Sequence, residues 1–293
     1  MDFITAEDLL ALCNQTGKSI ADIMREREVV QGETDILTVE QKMEKALRIM
    51  RDSAHKPLTR VMPSTGGLIG GEASKLNAHA KGGKSICGSV MTKVLIYSQA
   101  VPEVNASMGV IVAAPTAGSA GVVPAVLFAL EEEFGLDENI LRDGLFTAGA
   151  VGYLLMKHAS VSGAQAGCQA EVGAAAAMAA AMAVAIMGGT PEQSFDAASI
   201  ALSNLLGLVC DPIAGLVEAP CQSRNAIGAA NALTSAEMAL SGIKAVVPFS
   251  EMMQAMYRIG CKLPSELRET ALGGCAATPT GCAHNCRIFG GCN

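Results

Sequence analysis

Apolar residues change their spacing several times along this chain, and each change predicts a different element. Over residues 1–60 they recur every three or four positions between charges, the pattern of amphipathic helices with one buried face. Thr5 opens TAEDLLALC, and Thr38 with Gln41 makes a capping box before QKMEKALRIM; both predict helix starts. From Val61 to Gly88 the periodicity stops. The stretch MPSTGGLIGGEASKLNAHAKGGKSICG, rich in Gly, Ser, Lys and His, reads as an extended surface or active-site loop, or equally as a linker between helical layers. Beyond it, helices are predicted over 89–100, 119–134, 138–158, 168–187, 191–209, 222–240, 249–260 and 264–272. The helix at 191 has Thr190 as cap, Pro191 in its first position and Gln193 as box partner. The Gly- and Cys-rich tail from Gly273 to Asn293 is predicted to be irregular, and no repeat of solenoid period occurs.

Two tracts lack charge. Gly109 to Leu130 reaches the length of a membrane span, but Pro115, Thr116, Gly118, Ser119, Gly121 and Pro124 interrupt it and anchoring aromatic or basic flanks are missing. It reads as a buried loop leading into a buried helix. Gly173 to Met187, mostly Ala, is short for a span and predicts a central helix packed on all sides.

Composition sharpens this picture. Half of the 293 residues are apolar, yet only 3% are aromatic and Trp is absent, while Ala numbers 48 and Gly 31. Side chains this small let helix axes approach closely, and Ala, Met and Leu favour helix over strand. The expected class is all-α, with residues 1–293 forming one large helical domain. A net charge of −7, without a basic stripe, argues against nucleic acid as a partner. The start MDFITAEDLL has neither the basic opening nor the apolar run of a signal peptide, so a cytoplasmic location is expected. There, ten cysteines point to metal ligands or buried thiols rather than disulfides.

Several familiar motifs fail. GGKS at Gly82–Ser85 has Ala78 where a phosphate loop needs Gly. Ser241 and Lys244 satisfy only the common S-x-x-K spacing, the four histidines are scattered, and no lysine has a recognisable Schiff-base setting. Cys168, Cys210 and Cys221 stand apart, each where a predicted helix meets a small-residue loop, with Asp211-Pro212 after Cys210 and Pro220 before Cys221. Singly, each reads as a buried core thiol. Together, on rigid turns, they can hold a soft metal or an iron–sulfur cluster. Three thiolates on a four-iron cubane leave one iron open for Lewis-acid work on a substrate.

At these residues the chain resembles the iron–sulfur L-serine dehydratases, in particular the separate α subunit of the two-subunit type. The resemblance rests on APTAGSAGVVPAVL (Ala114–Leu127), SGAQAGCQAEVG (Ser162–Gly173) and NLLGLVCDPIAGLVEAPCQSRNAIG (Asn204–Gly228), and extends from the MPSTGG loop at Met62 over most of the chain. It implies an all-helical catalytic domain, a [4Fe–4S] cluster on Cys168, Cys210 and Cys221, L-serine as substrate, and a β subunit as partner. It further implies β-elimination of water, giving pyruvate and ammonia. A related lyase acting on L-cysteine, or a non-enzymatic iron–sulfur sensor or scaffold, are the competing readings. Other family members have a histidine where this chain has Ser203.

Within that reading Ala117–Gly121, at the start of a predicted helix, is the candidate cradle for the substrate carboxylate. Gly118 and Gly121 offer backbone N–H groups there, with Thr116 and Ser119 as hydroxyl donors. The alternative is that these glycines serve only close helix packing. Asn204, Arg224 and Asn225 flank two of the cysteines, and Ser64, Thr65, Lys75 and His79 are weaker candidates. No general base is apparent. In the tail, Cys292 or a neighbour can serve as a removable fourth cluster ligand, Cys282, His284, Cys286 and Cys292 as a zinc site, or all as free thiols.

Overall fold

The computed structural model of the chain describes residues 2–290. Among these, helices account for all of the regular structure and one isolated bridge, Cys210 to Arg268, is the only β-type pairing. The N-terminal layer is α1 (Ala6–Thr16), α2 (Ile20–Gln31) and α3 (Ile36–Thr59). Then come α4 (Glu72–Lys81), α5 (Gly88–Ala106), α6 (Val122–Phe134), α7 (Glu138–His158) and the single turn α8 (Gly163–Ala166). The central α9 (Ala174–Ile186) is followed by α10 (Pro191–Ser203), α11 (Cys221–Leu240), α12 (Phe249–Lys262) and α13 (Pro279–Phe289).

The capping boxes at Thr5 and Thr190 form as the sequence predicts, with each hydroxyl accepting from the N3 backbone and the N3 side chain reaching back. α3 differs. Its cap is Asp35, whose carboxylate accepts from Thr38 N at 2.8 Å, so the helix starts one turn before the predicted Thr38–Gln41 box.

α9 is the axis of the molecule. Every residue from Ala174 to Val184 is buried, and α6, α7, α10 and α11 pack around it. Its alanines leave room for larger partners. Leu127, Phe128, Leu154, Leu155 and Leu202 on the surrounding helices are fully buried, each stabilising the fold by about 1.5–3 kcal/mol. One apolar stretch, Gln169–Ile186, is long enough to cross a membrane, and 89% of it is buried inside the protein. The tract at 109–130 is likewise a loop running into the buried α6.

Four expectations need correction. The loop expected over 61–88 contains α4, whose start has no local side-chain cap; Ala73 N donates instead to the distant Glu103 carboxylate at 2.8 Å. The helix expected over 191–209 stops at Ser203, because Gly207 takes a left-handed φ of 84° and the Leu208 carbonyl accepts from Gln169 N. In 264–272 only a short turn at Ser265–Leu267 is helical, since the Leu267 carbonyl and Glu269 N–H bond to Cys210 instead. The tail is not irregular throughout. Thr278 caps α13, with Pro279 in its first position, the same Thr-Pro start that opens α10.

Candidate active site

Backbone pairing brings Cys168 and Cys210 together, since Gln169 N donates to the Leu208 carbonyl. Cys168 immediately precedes a π-helical turn, Gln169–Gly173, that runs directly into α9. Gln169, fully buried, holds this turn: its Oε1 accepts from Gly207 N at 2.9 Å and its Nε2 donates to the Met256 carbonyl at 3.1 Å. Cys210 is gripped on both sides, donating to Leu267 O at 2.9 Å and accepting from Glu269 N at 2.7 Å. Cys221 is the first residue of α11, with Pro220 as its N-cap. The turn at Ala117–Ser119 packs against both the π-helical turn and the start of α11.

Cys168, Cys210 and Glu171 each bring a ligand atom within 4.8 Å of the others. The Cys210 Sγ lies 3.9 Å from Glu171 Oε2, and Thr116 Oγ1 donates to Glu171 Oε1 at 2.8 Å. At Gly163 a Cβ would stand 2.5 Å from Glu171 Oε2 and 3.1 Å from Cys210 Sγ, so a side chain there would have to push Glu171 aside. The space beside these thiols exists because that residue is glycine.

The electrostatics are uneven. A hydrogen bond from Cys210 pulls the Cys168 thiol below its ordinary range; burial opposes this, and the Arg224 guanidinium adds to the pull. Its hydrogen bond to Cys168, together with burial, holds Cys210 protonated. Burial pushes Cys221 up to about 12. Burial also raises Glu171, partly offset by the Thr116 hydroxyl and reinforced by the nearby Glu269 charge. Glu269 itself has a left-handed φ of 64°, a strained conformation for a residue with a side chain.

Arg224 Nη1 lies 3.6 Å from Cys168 Sγ and 2.9 Å from the Val209 carbonyl. Its Nη2 forms an ion pair with Asp211 Oδ1 at 2.7 Å, aligned too poorly for a hydrogen bond. Burial pushes Asp211 up, but the Cys275 N–H and the Arg224 charge outweigh it and hold this carboxyl below the usual range. Cys275 N donates to Asp211 Oδ2 at 2.7 Å. A Cβ on Gly274 would sit 2.1 Å from the same oxygen, so the tail segment is pressed against the loop that carries Cys210.

Of the residues singled out from the sequence, Thr116, Gly118 and Ser119 lie beside Glu171: Thr116 Oγ1 is 3.1 Å from Ser119 Oγ, and a Cβ on Gly118 would meet Glu171 Oε1 at 3.2 Å. Gly121 N donates to Asn225 Oδ1. Others are placed elsewhere. Asn204 is exposed and donates to Asn231 Oδ1 at 2.7 Å. Ser64 Oγ donates to Glu218 Oε2 at 2.6 Å and Thr65 Oγ1 to the Ala106 carbonyl at 3.0 Å. Lys75 and His79 are exposed on α4, Lys75 beside Glu72. Along α13, Cys282 and His284 are two residues apart and so face opposite sides of the helix, which does not assemble a zinc core. Cys292 lies outside the described residues.

Sequence reasoning missed Glu171, Asp211, Gln169 and Glu218. Glu171 left a trace: it is the only charged residue between His158 and Glu192. Glu218, buried on the approach to α11, gathers Ser64 Oγ, Gly66 N at 2.7 Å and Leu68 N at 3.0 Å, and so pins the MPSTGG loop.

The donor set suits a soft metal or an iron–sulfur group. It offers buried thiols with a guanidinium hydrogen-bonded to one of them, as outer groups commonly support metal ligands. A family model described as serine dehydratase alpha chain matches residues 15–276. The chain is 47% identical over 289 residues to a Bacillus subtilis protein named probable L-serine dehydratase, alpha chain, covering 99% of this chain and 96% of that one. It is 44% identical over 277 residues to the L-serine dehydratase, alpha chain, of Peptoniphilus asaccharolyticus, covering 94% and 95%. Against an L-serine dehydratase of Helicobacter pylori it is 37% identical over 284 residues, spanning 62% of that longer protein. A match running almost end to end, through all three cysteines, places this chain in the serine dehydratase alpha chain family.

Proposed function

We propose that this chain is the catalytic subunit of an L-serine dehydratase, a lyase that works with a second, β subunit in the cytoplasm. The observation that carries the reading is the convergence of Cys168, Cys210 and Glu171 in a chain of this family, with Cys221 starting the adjoining helix. Cys168, Cys210 and Cys221 would hold a [4Fe–4S] cluster, and Cys292 is the proposed fourth ligand. When bound, such a cluster supplies a Lewis acid for a hydroxyl leaving group.

The remaining work falls to the protein. Glu171, whose pKa is raised by burial, can hold a proton on Oε2 beside the thiols. Thr116 orients it through Oε1, and Ser119 lies within hydrogen-bonding distance of Thr116. The turn from Gly118 to Gly121, at the start of α6, is the proposed seat of the substrate carboxylate, where the helix dipole favours an anion and the N–H groups of Gly118 and Ser119 are the proposed donors, since Ala120 N and Gly121 N bond to Ala117 O and Asn225 Oδ1. Arg224 supports Cys168 through Nη1 and pairs with Asp211 through Nη2, and it stays a proposed partner for the substrate carboxylate. Loss of the α-proton and of the β-hydroxyl, together one water, gives aminoacrylate, which rearranges to an imine that takes up water to give pyruvate and ammonia.

The test is anaerobic reconstitution with iron and sulfide, with and without the β subunit, followed by pyruvate detection from L-serine and sulfide detection from L-cysteine. Iron-dependent pyruvate from L-serine is expected, with iron lost in Cys168→Ser, Cys210→Ser and Cys221→Ser. Full iron in all three variants would refute the ligand assignment, and preferential sulfide release would make the protein a cysteine lyase.

A further inference from the structure

Asn225 sits one turn into α11, fully buried, on the same face as Cys221. Its side-chain amide is completely engaged. Oδ1 accepts from Gly121 N at 2.9 Å, while Nδ2 donates to the Gly118 carbonyl at 2.8 Å and to the Cys221 carbonyl at 2.9 Å. The first two bonds close both ends of the Gly118–Gly121 turn. The third fastens that turn to the backbone of a cysteine. With both N–H donors spent, Asn225 has none left for a substrate.

The shape of the contact demands a carboxamide. Aspartate at this length offers no donor when ionised, leucine fills the volume without polar atoms, and glutamine adds a methylene where the neighbours leave no slack. The packing is tight, since a Cβ on Gly121 would stand 3.0 Å from Asn225 Oδ1 and 2.9 Å from the Ser98 carbonyl. We infer that Asn225 is a positioning residue: it sets the separation and orientation of the Gly118–Gly121 turn relative to Cys221, and so presents the amino-acid carboxylate to the group that Cys221 holds. The inference rests on the function proposed above and adds a coupling between substrate seat and cofactor ligand.

A purely structural asparagine would affect stability alone, and the same helix supplies the control. Asn231 Nδ2 donates to the Ala201 carbonyl at 2.7 Å, joining α11 to α10. Asn225→Ala, Asn225→Asp and Asn231→Ala are to be compared in the reconstituted enzyme for iron per chain and for KM and kcat with L-serine. Amide exchange at Gly121 is to be followed in the cluster-free chain. Asn225→Ala should keep its iron, raise KM at least tenfold and speed Gly121 exchange at least tenfold. Asn225→Asp, which retains an acceptor for Gly121 N, should keep Gly121 protected yet still raise KM, and it decides the matter where the alanine variant does not fold. Asn231→Ala should lower the melting temperature and leave KM and Gly121 exchange unchanged. Wild-type KM in an iron-loaded Asn225 variant, or an equal rise in Asn231→Ala, would overturn the inference alone. A wild-type enzyme without iron or without serine turnover would overturn the functional reading, and this inference with it.

Discussion

Replacing Gly163 by Ala tests whether the space beside the thiols matters. The new methyl would lie 2.5 Å from Glu171 Oε2, roughly 1 Å inside normal van der Waals separation. Glu171 is long enough to retreat, but the retreat strains its hydrogen bond from Thr116, now 2.8 Å. Losing this hydrogen bond to a protonated carboxyl costs about 0.5–1.5 kcal/mol, and an off-rotamer side chain about 0.5–1.5. Gly163 is helical with no left-handed φ, so alanine returns about 0.4–1 kcal/mol by restricting the unfolded chain. The net destabilisation is about 0–3 kcal/mol, a fall of at most roughly 5 °C in melting temperature for a chain of this size. Turnover should suffer far more. If Glu171 moves a proton, displacing it costs about 100- to 10,000-fold in kcat. Thermal melts of the reduced chain, iron content, and pyruvate formation from L-serine separate the effects. A Gly163→Ala enzyme with normal iron and normal kcat would refute the placement of Glu171 in the chemistry.

Glu218→Gln should destabilise the protein by about 2–4 kcal/mol, because an amide nitrogen would face one of the three donors that the carboxylate now receives; a melting temperature unchanged from wild type would contradict this. Burial raises Glu103 above its unfolded value, so the folded state holds that proton more tightly and this group's contribution to stability falls as pH rises from the unfolded pKa to the folded one. Glu103→Gln should therefore be more stable than wild type at pH 8, with the gap narrowing as the pH falls towards 5; a gap that widens on acidification would show that the charged carboxylate is the favoured form. Truncation after Thr280 removes most of α13, including Arg287, whose Nη2 donates to the Gly66 carbonyl at 3.3 Å. The cluster should still form but decay faster in air, and an unchanged oxygen half-life with unchanged serine KM would exclude a protective role for the tail.

What the sequence made legible was local. The Thr5 and Thr190 caps, the run of alanines at 174–183 and the placement of all three cysteines beside turns follow from neighbouring residues alone. What stayed hidden depends on partners far along the chain. α4 starts where it does because Glu103 caps it from α5, and the segment after Pro264 is not a helix because Cys210 takes its backbone groups. The same distance separates Ser64 from Glu218 and Asn204 from Asn231; both polar side chains looked available in sequence and are bonded within the protein. Glu171 was hidden differently. A lone carboxylate in an apolar run shows its purpose only when Thr116 and Cys210, from two other loops, close around it.

The alanine axis has a further consequence, in entropy. Nine of the thirteen residues of α9 are alanine, which has no side-chain rotamers to lose on folding. Leucine at those nine positions would add an ordering cost of about 5–9 kcal/mol. The same lack of rotamers removes a means of relaxation. Apart from Met178, Met182, Val184 and Ile186, the helix, enclosed by α6, α7, α10 and α11, has no side chain that can swing to absorb strain. At its nine alanines, relaxation needs movement of the backbone itself. The π-helical turn bearing Glu171 is continuous with that helix, and Cys168 stands directly before it. Both side chains therefore rest on a foundation whose alanines yield only through the backbone.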